Sequence, residues 1–300
     1  MSRELVGAIE IGGTHVTAAR VDVASRSVDP GSLLRRDLPS TGTCDELLQI
    51  IRDTVVSLAR ADVHRWGAAV PGPFDYERGI CTIEGVGKLE ALHGVDMRSM
   101  FASALQVAPE AIRFLNDADA FLLGESWAGT ARGHDAVIGI TLGTGLGSAF
   151  MRGGEIREAG PGVPPEGRLD LVPFRGAPVE DVISRHGLLA AYRRAGRDAA
   201  DVIEIAERAN AGERAALATF REFGASLGEF LGPFIEVFAP SCIVFGGSIT
   251  RAWPLFTDAF RSTCAPAARV ATIRVAEHVE EAPLLGAALH AIRDRPAGAS

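Results

Sequence analysis

Apolar residues in the first half of the chain fall into short continuous runs separated by stretches with helical spacing. Residues 5–10 (LVGAIE) form a compact apolar run closed by an acid and read as a buried strand. Beyond Gly12-Gly13, residues 15–23 (HVTAARVDV) read as a second strand. Leu47, Leu48, Ile51, Val55 and Leu58 recur at helical intervals and predict a helix over 45–61. A short strand over 65–70 stops at Pro71-Gly72-Pro73, and a helix is predicted over 97–105, a strand over 112–116 and a helix over 118–127. Two strands, 137–141 and 147–151, flank a glycine-rich turn.

The second half changes character. Residues 153–178 are rich in Gly, Pro and charge and read as loop, and 179–238 is almost entirely helical in pattern. One more strand, 242–245, runs into Gly246-Gly247-Ser248; a last helix covers 284–293, and 296–300 reads as a disordered tail. Consecutive antiparallel strands beside helices point to an α/β fold other than a plain doubly wound sheet. No low-complexity linker divides the chain, so the domain boundary is read as a hinge near 114–116.

Size and composition narrow the classes. A chain of 300 residues suits two packed lobes, and 47% hydrophobic residues supply a large core for them. A net charge of −8 argues against a general nucleic-acid binder, which needs a basic face to displace counterions. Small anions are still compatible, because backbone N–H groups and a metal can hold phosphate. Cys44, Cys81, Cys242 and Cys264 are widely spaced, with no CxxC or Cys/His cluster; they read as buried thiols in a reducing cytoplasm. With neither a leader-like start nor an apolar run of membrane-spanning length, the expectation is a cytoplasmic protein with no membrane partner.

Three glycine turns carry the chemistry. In Glu10-Ile11-Gly12-Gly13-Thr14-His15, paired glycines leave N–H groups unhindered for a phosphate oxygen, and Glu10 could hold a metal. An ordinary hairpin with a Gly-Gly turn has the same pattern. Leu142-Gly143-Thr144-Gly145-Leu146-Gly147 contains a Gly-x-Gly-x-Gly pattern, but a dinucleotide fingerprint needs a helix directly afterwards. Here the chain soon reaches Gly153-Gly154, which suits a hairpin. Val244-Phe245-Gly246-Gly247-Ser248 is a strand feeding a turn open enough for a flat purine to approach. Asp117, between a strand and a helix, serves equally as a cleft carboxylate or as a helix N-cap.

Taken together in order, these residues resemble the ROK group of sugar kinases within the actin/hexokinase-like ATPases. Glu10 to His15 is similar to that family's first phosphate loop, usually Asp-Ile-Gly-Gly-Thr-Lys, and Val70-Pro71-Gly72-Pro73 to its Pro-Gly segment beside the sugar. Asn116-Asp117-Ala118-Asp119-Ala120 with Gly124-Glu125 resembles the block that carries the catalytic aspartate. The resemblance implies a two-domain actin-like ATPase (ribonuclease H-like) α/β fold with an interdomain cleft. It places the N-terminal domain at 1–115, with a C-terminal helix about 284–295 packed onto it, and the larger nucleotide-binding domain at 116–283. It also implies Mg-ATP as donor, a small-molecule sugar as substrate, and a homodimer.

Residue by residue, the resemblance makes Asp117 the general base. Gly72, Asn116, Glu166 and Glu180 join it as sugar ligands, and Gly12, Gly13, Thr14, Gly143, Thr144 and Gly145 become phosphate contacts. Gly246 and Gly247 face adenosine, and Glu10 organises Mg²⁺, directly or through water. Two departures stand out. The family's Gly-Glu-x-Gly-His segment becomes Pro165-Glu166-Gly167-Arg168-Leu169, with Leu169 at the histidine position. Its cysteine motif is replaced by a stretch ending in Val179-Glu180, so no zinc is expected and the loop must be held by packing, through Pro161, Pro164, Pro165 and Pro173. Lys88 falls in the sugar-facing loop and reads as a solvated loop lysine; His15, in place of the usual lysine, reads as a solvent-facing strand residue.

The activity this implies is phosphorylation of a hexose at its 6-hydroxyl, glucose or a close relative. An amino sugar such as kanosamine is the alternative substrate, and a non-catalytic sugar sensor the remote one. A repressor of the same family would carry an N-terminal helix-turn-helix, for which the residues before Glu10 leave no room.

Overall fold

The computed structural model describes residues 4–39, 41–85, 87–264 and 271–293, so the tail expected at 296–300 lies outside the described residues. Contacts divide the chain into one compact unit of Met1–Arg132 with His278–Ser300 and a second of Gly133–Glu277. The sequence reading set its boundary at 115/116. The difference is the helix over 117–127 with the loop after it, together with residues 278–283 leading into the last helix, and its cause lies in the packing of these two helices on each other.

The first unit opens with β1 (Leu5–Ile11) and β2 (His15–Asp22), an antiparallel pair in register along its whole length, Ile11 opposite Val16. The edge strands β3 (Ser27–Val28) and β4 (Leu34–Asp37) both pair with β2. Helix α1 (Cys44–Val56) starts at a reciprocal cap: the Glu46 N–H donates to Thr43 Oγ1 at 3.3 Å and the Thr43 N–H to Glu46 Oε2 at 2.9 Å. Next come β5 (Trp66–Val70), the small hairpin of β6 (Phe74–Asp75) and β7 (Ile80–Cys81), α2 (Met97–Leu105), β8 (Ile112–Asn116) and α3 (Asp117–Trp127). The sheet runs β3-β2-β1-β5-β8, with β1, β5 and β8 parallel.

Strand alternation then sorts the two faces. Leu5, Ile9 and Ile11 of β1 and Trp66, Ala68 and Val70 of β5 share a core with Leu47, Ile51 and Val55 of α1 and Met97 and Phe101 of α2. The intervening residues turn the other way.

The second unit repeats the opening move. Strands β9 (Ala136–Leu142) and β10 (Leu146–Arg152) form an antiparallel pair, Leu142 opposite Leu146, and β11 (Glu155–Ile156) extends the edge. The segment expected to be loop holds a two-residue pairing of β12 (Pro173–Phe174) with β13 (Ala177–Pro178). The helical block divides into α4 (Arg185–Arg194), α5 (Val202–Asn210) and α6 (Arg214–Phe238), punctuated by Gly196 and Gly212 at φ 73° and 88°. Strand β14 (Cys242–Gly246) lies parallel to β9, followed by α7 (Trp253–Thr263) and β15 (Thr272–Val275), which pairs parallel with β14. Phe220, Phe223 and Phe230 of α6 and Phe256 and Phe260 of α7 form the aromatic part of this core.

The final helix, α8 (Ala282–Ile292), returns to the first unit and packs on α3, β1 and β5. Small residues make that approach possible. A methyl group at Gly286 would overlap the Ala120 carbonyl, one at Gly124 the Ala282 carbonyl, and one at Gly67 the Ala287 carbonyl. This close helix–helix contact is what binds α3 to the first unit. No helix among the described residues is long and apolar enough to cross a membrane.

Candidate active site

In an open α/β sheet, ligands gather at the carboxyl ends of parallel strands. Three such ends lie side by side in the first unit: Glu10 of β1 pairs in register with Ala69 of β5, and Val70 with Asn116 of β8. The expected residues Glu10, Gly12, Gly13, Thr14, Gly72, Asn116 and Asp117 therefore all sit at one sheet edge. Gly72 is joined to Pro73 by a cis peptide bond.

Asp117 is the first residue of α3, and the cap is Asn116, whose Oδ1 accepts the Ala118 N–H at 2.9 Å. Asp117 Oδ1 accepts the same N–H at 2.9 Å, which pins the carboxylate at the start of the helix. A negative charge is favoured there by the helix dipole. Asn116 also donates through Nδ2 to Tyr76 Oη at 3.1 Å, and Tyr76 donates to the Val70 carbonyl at 3.1 Å. Tyr76 thus ties the ends of β5 and β8 together. Nothing local in Phe74-Asp75-Tyr76 marks it for that role.

Glu10 lies within electrostatic reach of Asp117, on the sheet face opposite Ile9 and Ile11. Burial, with the Asp117 charge adding to it, raises its carboxyl from the ordinary range to about 7, against an opposing pull from Arg35. Its side chain keeps 19% of its exposure, and Oε2 stands 4.0 Å from His15 Nε2. Burial and the Arg35 charge lower the His15 pKa, so its ring is a neutral neighbour at neutral pH. That ring is half-buried against Gly12 and contacts Thr14, Nδ1 to Oγ1 at 3.3 Å, instead of facing solvent as a strand residue would. Arg35 itself is within 3.5 Å of Glu280. Two carboxylates at one edge of the sheet, whose mutual repulsion helps to raise the Glu10 pKa, suit a hard divalent cation that would displace that proton; Mg²⁺ takes one or two carboxylates and completes its shell with water and substrate phosphate.

The turn between β1 and β2 closes with the Gly12 N–H donating to the His15 carbonyl at 2.8 Å. Lys88 lies over it. A Cβ at Gly13 would stand 2.5 Å from Lys88 Cδ, so the lysine stem occupies the space that any side chain at Gly13 would need. The expectation of a solvated loop lysine gives way to a half-buried one resting on the phosphate-type turn.

In the second unit, Gly143, Thr144 and Gly145 join β9 to β10, and Gly246, at the end of β14, is in register with Thr141. Gly247 takes φ 86°, and a methyl there would overlap the Leu142 backbone. Gly143 is the open side of this corner: only Ser248 Oγ, at 4.0 Å, would approach a Cβ. Glu180 belongs to the turn as well. Its Oε1 accepts the Leu146 N–H at 2.8 Å, and a methyl on Gly145 would displace it. The Arg185 N–H donates to the Gly143 carbonyl at 2.9 Å, tying α4 to the same loop.

Glu166 stands apart, 72% exposed at φ 57°, with its carboxylate 3.9 Å from Arg168. Leu169, set against the family's histidine, is fully buried in the core, and the neighbouring Arg168 is paired with Asp170 at 2.6 Å. The segment is held chiefly by Ser148, whose hydroxyl donates to the Gly167 carbonyl at 2.7 Å and accepts the Leu169 N–H at 2.9 Å. Of the four prolines expected to brace it, Pro164 is buried while Pro161, Pro165 and Pro173 are exposed.

A sheet that opens with a hairpin and continues into a parallel strand, twice over, with glycine turns at the strand ends, defines an actin-like ATPase fold. The ROK family model matches residues 6–294, and the chain belongs to the ROK family. The glucokinase of Thermotoga maritima is 26% identical over 318 residues, covering 95% of this chain and 96% of that protein. An N-acetyl-D-glucosamine kinase of Pectobacterium carotovorum is 25% identical, covering 95% and 98%. The crystal structure of a ROK family glucokinase from Streptomyces griseus, in complex with glucose and AMPPNP, superposes with a TM-score of 0.75 at 26% identity, covering 95% of this chain and 98% of that one. The protein is a sugar kinase, a phosphotransferase with an alcohol acceptor.

Proposed function

We propose that the enzyme transfers the terminal phosphoryl group of ATP to the 6-hydroxyl of a hexose, glucose or a close relative, with Asp117 as general base. The observation that carries this reading is the corner where Asp117 opens α3 beside Glu10, with Asn116 capping the helix. A carboxylate so pinned can accept the hydroxyl proton as the oxygen attacks phosphorus, and ADP then leaves in line. Asn116 and Glu180 are assigned hydrogen bonds to sugar hydroxyls, Gly72 the close approach of the ring, and Glu166 a contact from its exposed turn. The phosphates fall to Gly12, Gly13 and Thr14 and to Gly143, Thr144 and Gly145, and the adenosine to Gly246 and Gly247. Glu10 with Asp117 would hold Mg²⁺, which when bound neutralises phosphate charge as the bond to the leaving oxygen lengthens.

The test is ADP release from Mg-ATP across glucose, mannose, N-acetylglucosamine and amino hexoses such as kanosamine. Turnover with one neutral hexose and its loss in Asp117→Asn is the expected result. Transfer from polyphosphate but not from ATP would overturn the donor. A preference for an amino hexose would overturn the substrate and leave the base assignment intact, and binding of sugar without any turnover would mark a sensor.

A further inference from the structure

The strand end that carries Glu10 and Asp117 is short of positive charge for a ligand as anionic as a nucleotide triphosphate. The His15 ring is engaged with Thr14 and Glu10, and Arg35 already faces Glu280 at 3.5 Å. Lys88 is the cation that the chain brings onto the turn itself. Measured from a Cβ position on Gly13, its Nζ is 3.3 Å away, its Cε 3.4 Å and its Cδ 2.5 Å.

The loop that delivers it is built for the purpose. Leu89, the next residue, takes the left-handed conformation at φ 56° and is buried, as is Leu92 one turn later. A left-handed leucine is uncommon and persists where the surrounding packing over-determines it. The Gly87 N–H donates to Glu90 Oε1 at 2.7 Å and the Leu92 N–H to the Leu89 carbonyl at 2.9 Å, bracketing Lys88 on both sides. A lysine serving only as a solubilising group needs no anchored loop and no glycine beneath its stem.

We propose that Lys88 is the phosphate-binding cation of this site, reaching across Gly13 to pair with the terminal phosphate of the nucleotide. The inference rests on the reading of the protein as an ATP-dependent kinase and adds to it a residue outside both glycine turns. An ammonium acts here as a point charge on a flexible stem, so it favours ligands in proportion to the charge of their outermost phosphate.

The experiment is calorimetric binding of Mg-AMPPNP and of adenosine to the wild type, Lys88→Met and Lys88→Arg, together with KM for ATP and for the sugar. Lys88→Met keeps the stem and removes the charge. It is expected to weaken Mg-AMPPNP about 10-fold or more and to raise KM for ATP in step, a loss typical of one charge-assisted contact. Adenosine binding and the sugar KM should stay within about two-fold, and Lys88→Arg should recover most of the loss. Equal Mg-AMPPNP affinity in the wild type and Lys88→Met would overturn the assignment alone. A rise in the sugar KM with KM for ATP unchanged would also overturn it, placing the ammonium on the sugar. A wild type that binds no Mg-AMPPNP would overturn the kinase reading along with it.

Discussion

The two glycine hairpins share a construction and differ in what surrounds them. Each joins antiparallel strands, β1 to β2 and β9 to β10, beside a parallel strand, β5 or β14. Around the first turn stand Glu10, His15, Lys88 and Asp117, all titratable. Around the second the partners are mostly backbone: Gly145, Gly143 and the Leu142 main chain under Gly247, with Glu180 accepting the Leu146 N–H. One frame thus surrounds its first turn with titratable side chains and its second chiefly with backbone. The division comes from side chains at strand ends and not from the topology, which is common to both.

The largest test of that contrast is Asp117→Asn, which should lower kcat by ~10²–10⁴ while leaving the sugar KM within a few-fold. A change at the second turn, Thr144→Ala, should move KM for ATP and leave kcat nearly intact. A kcat loss of equal size at both turns would erase the distinction.

Next in size is a stability effect at Glu10. Below about pH 4.5 its carboxyl is protonated in both the folded and the unfolded chain. Between there and about 7 the unfolded chain ionises while the folded one keeps its proton, so stability falls as pH rises and the loss is complete above about 7. The full loss is at most ~3 kcal/mol. Denaturant unfolding without divalent cations should show Glu10→Gln gaining on the wild type as pH rises from about 5 to 8. A gap that does not change with pH would mean that Asp117 and burial do not hold the proton.

At the second turn, Glu180→Gln removes the charge that accepts the Leu146 N–H and is assigned to a sugar hydroxyl, so KM should rise for the sugar and for ATP, a change of ~1.5 kcal/mol corresponding to roughly 10-fold in either. Gly145→Ala should produce a similar rise by displacing the same carboxylate, and the double variant should add little. Full additivity would show that the turn and Glu180 act separately. The smallest effect is expected of Tyr76→Phe. Losing its hydrogen bonds to Asn116 and Val70 should cost ~1 kcal/mol of stability and a few-fold in kcat, read from a thermal melt and a steady-state assay.

Much of this could be read before any coordinates. Strands β1, β5, β9, β10 and β14 are largely apolar runs that end at glycine or proline, and these, with β2 and β8, form within a residue or two of expectation. Helix α7 is absent from the sequence reading although Trp253, Phe256 and Phe260 repeat at helical spacing, because a 3₁₀ turn over Ser248–Ala252 obscures its start. Strand β15 is an edge strand with a half-exposed pattern and leaves little apolar signal. At the site, the residues visible in advance are those belonging to a local motif, Glu10 through Thr14, Asn116-Asp117 and Gly143 through Gly145. Tyr76 under Asn116, Lys88 across Gly13 and Glu180 on Leu146 act through contacts between distant segments, and no local pattern encodes them. The turn at 165–169 illustrates the same limit from the other side. The family comparison set Leu169 where a histidine belongs, and only the structure shows that this side chain is fully buried in the core.

The seat of α8 has a consequence for how the protein comes into being. The sheet that begins with β1 and β5 waits for a helix synthesised after the whole second unit, and until then the face around Gly67 and Gly124 stands bare to water. A nascent chain stalled before residue 282 would display that apolar surface to chaperones and to other chains, whereas the second unit, contiguous in sequence, can condense as soon as it emerges.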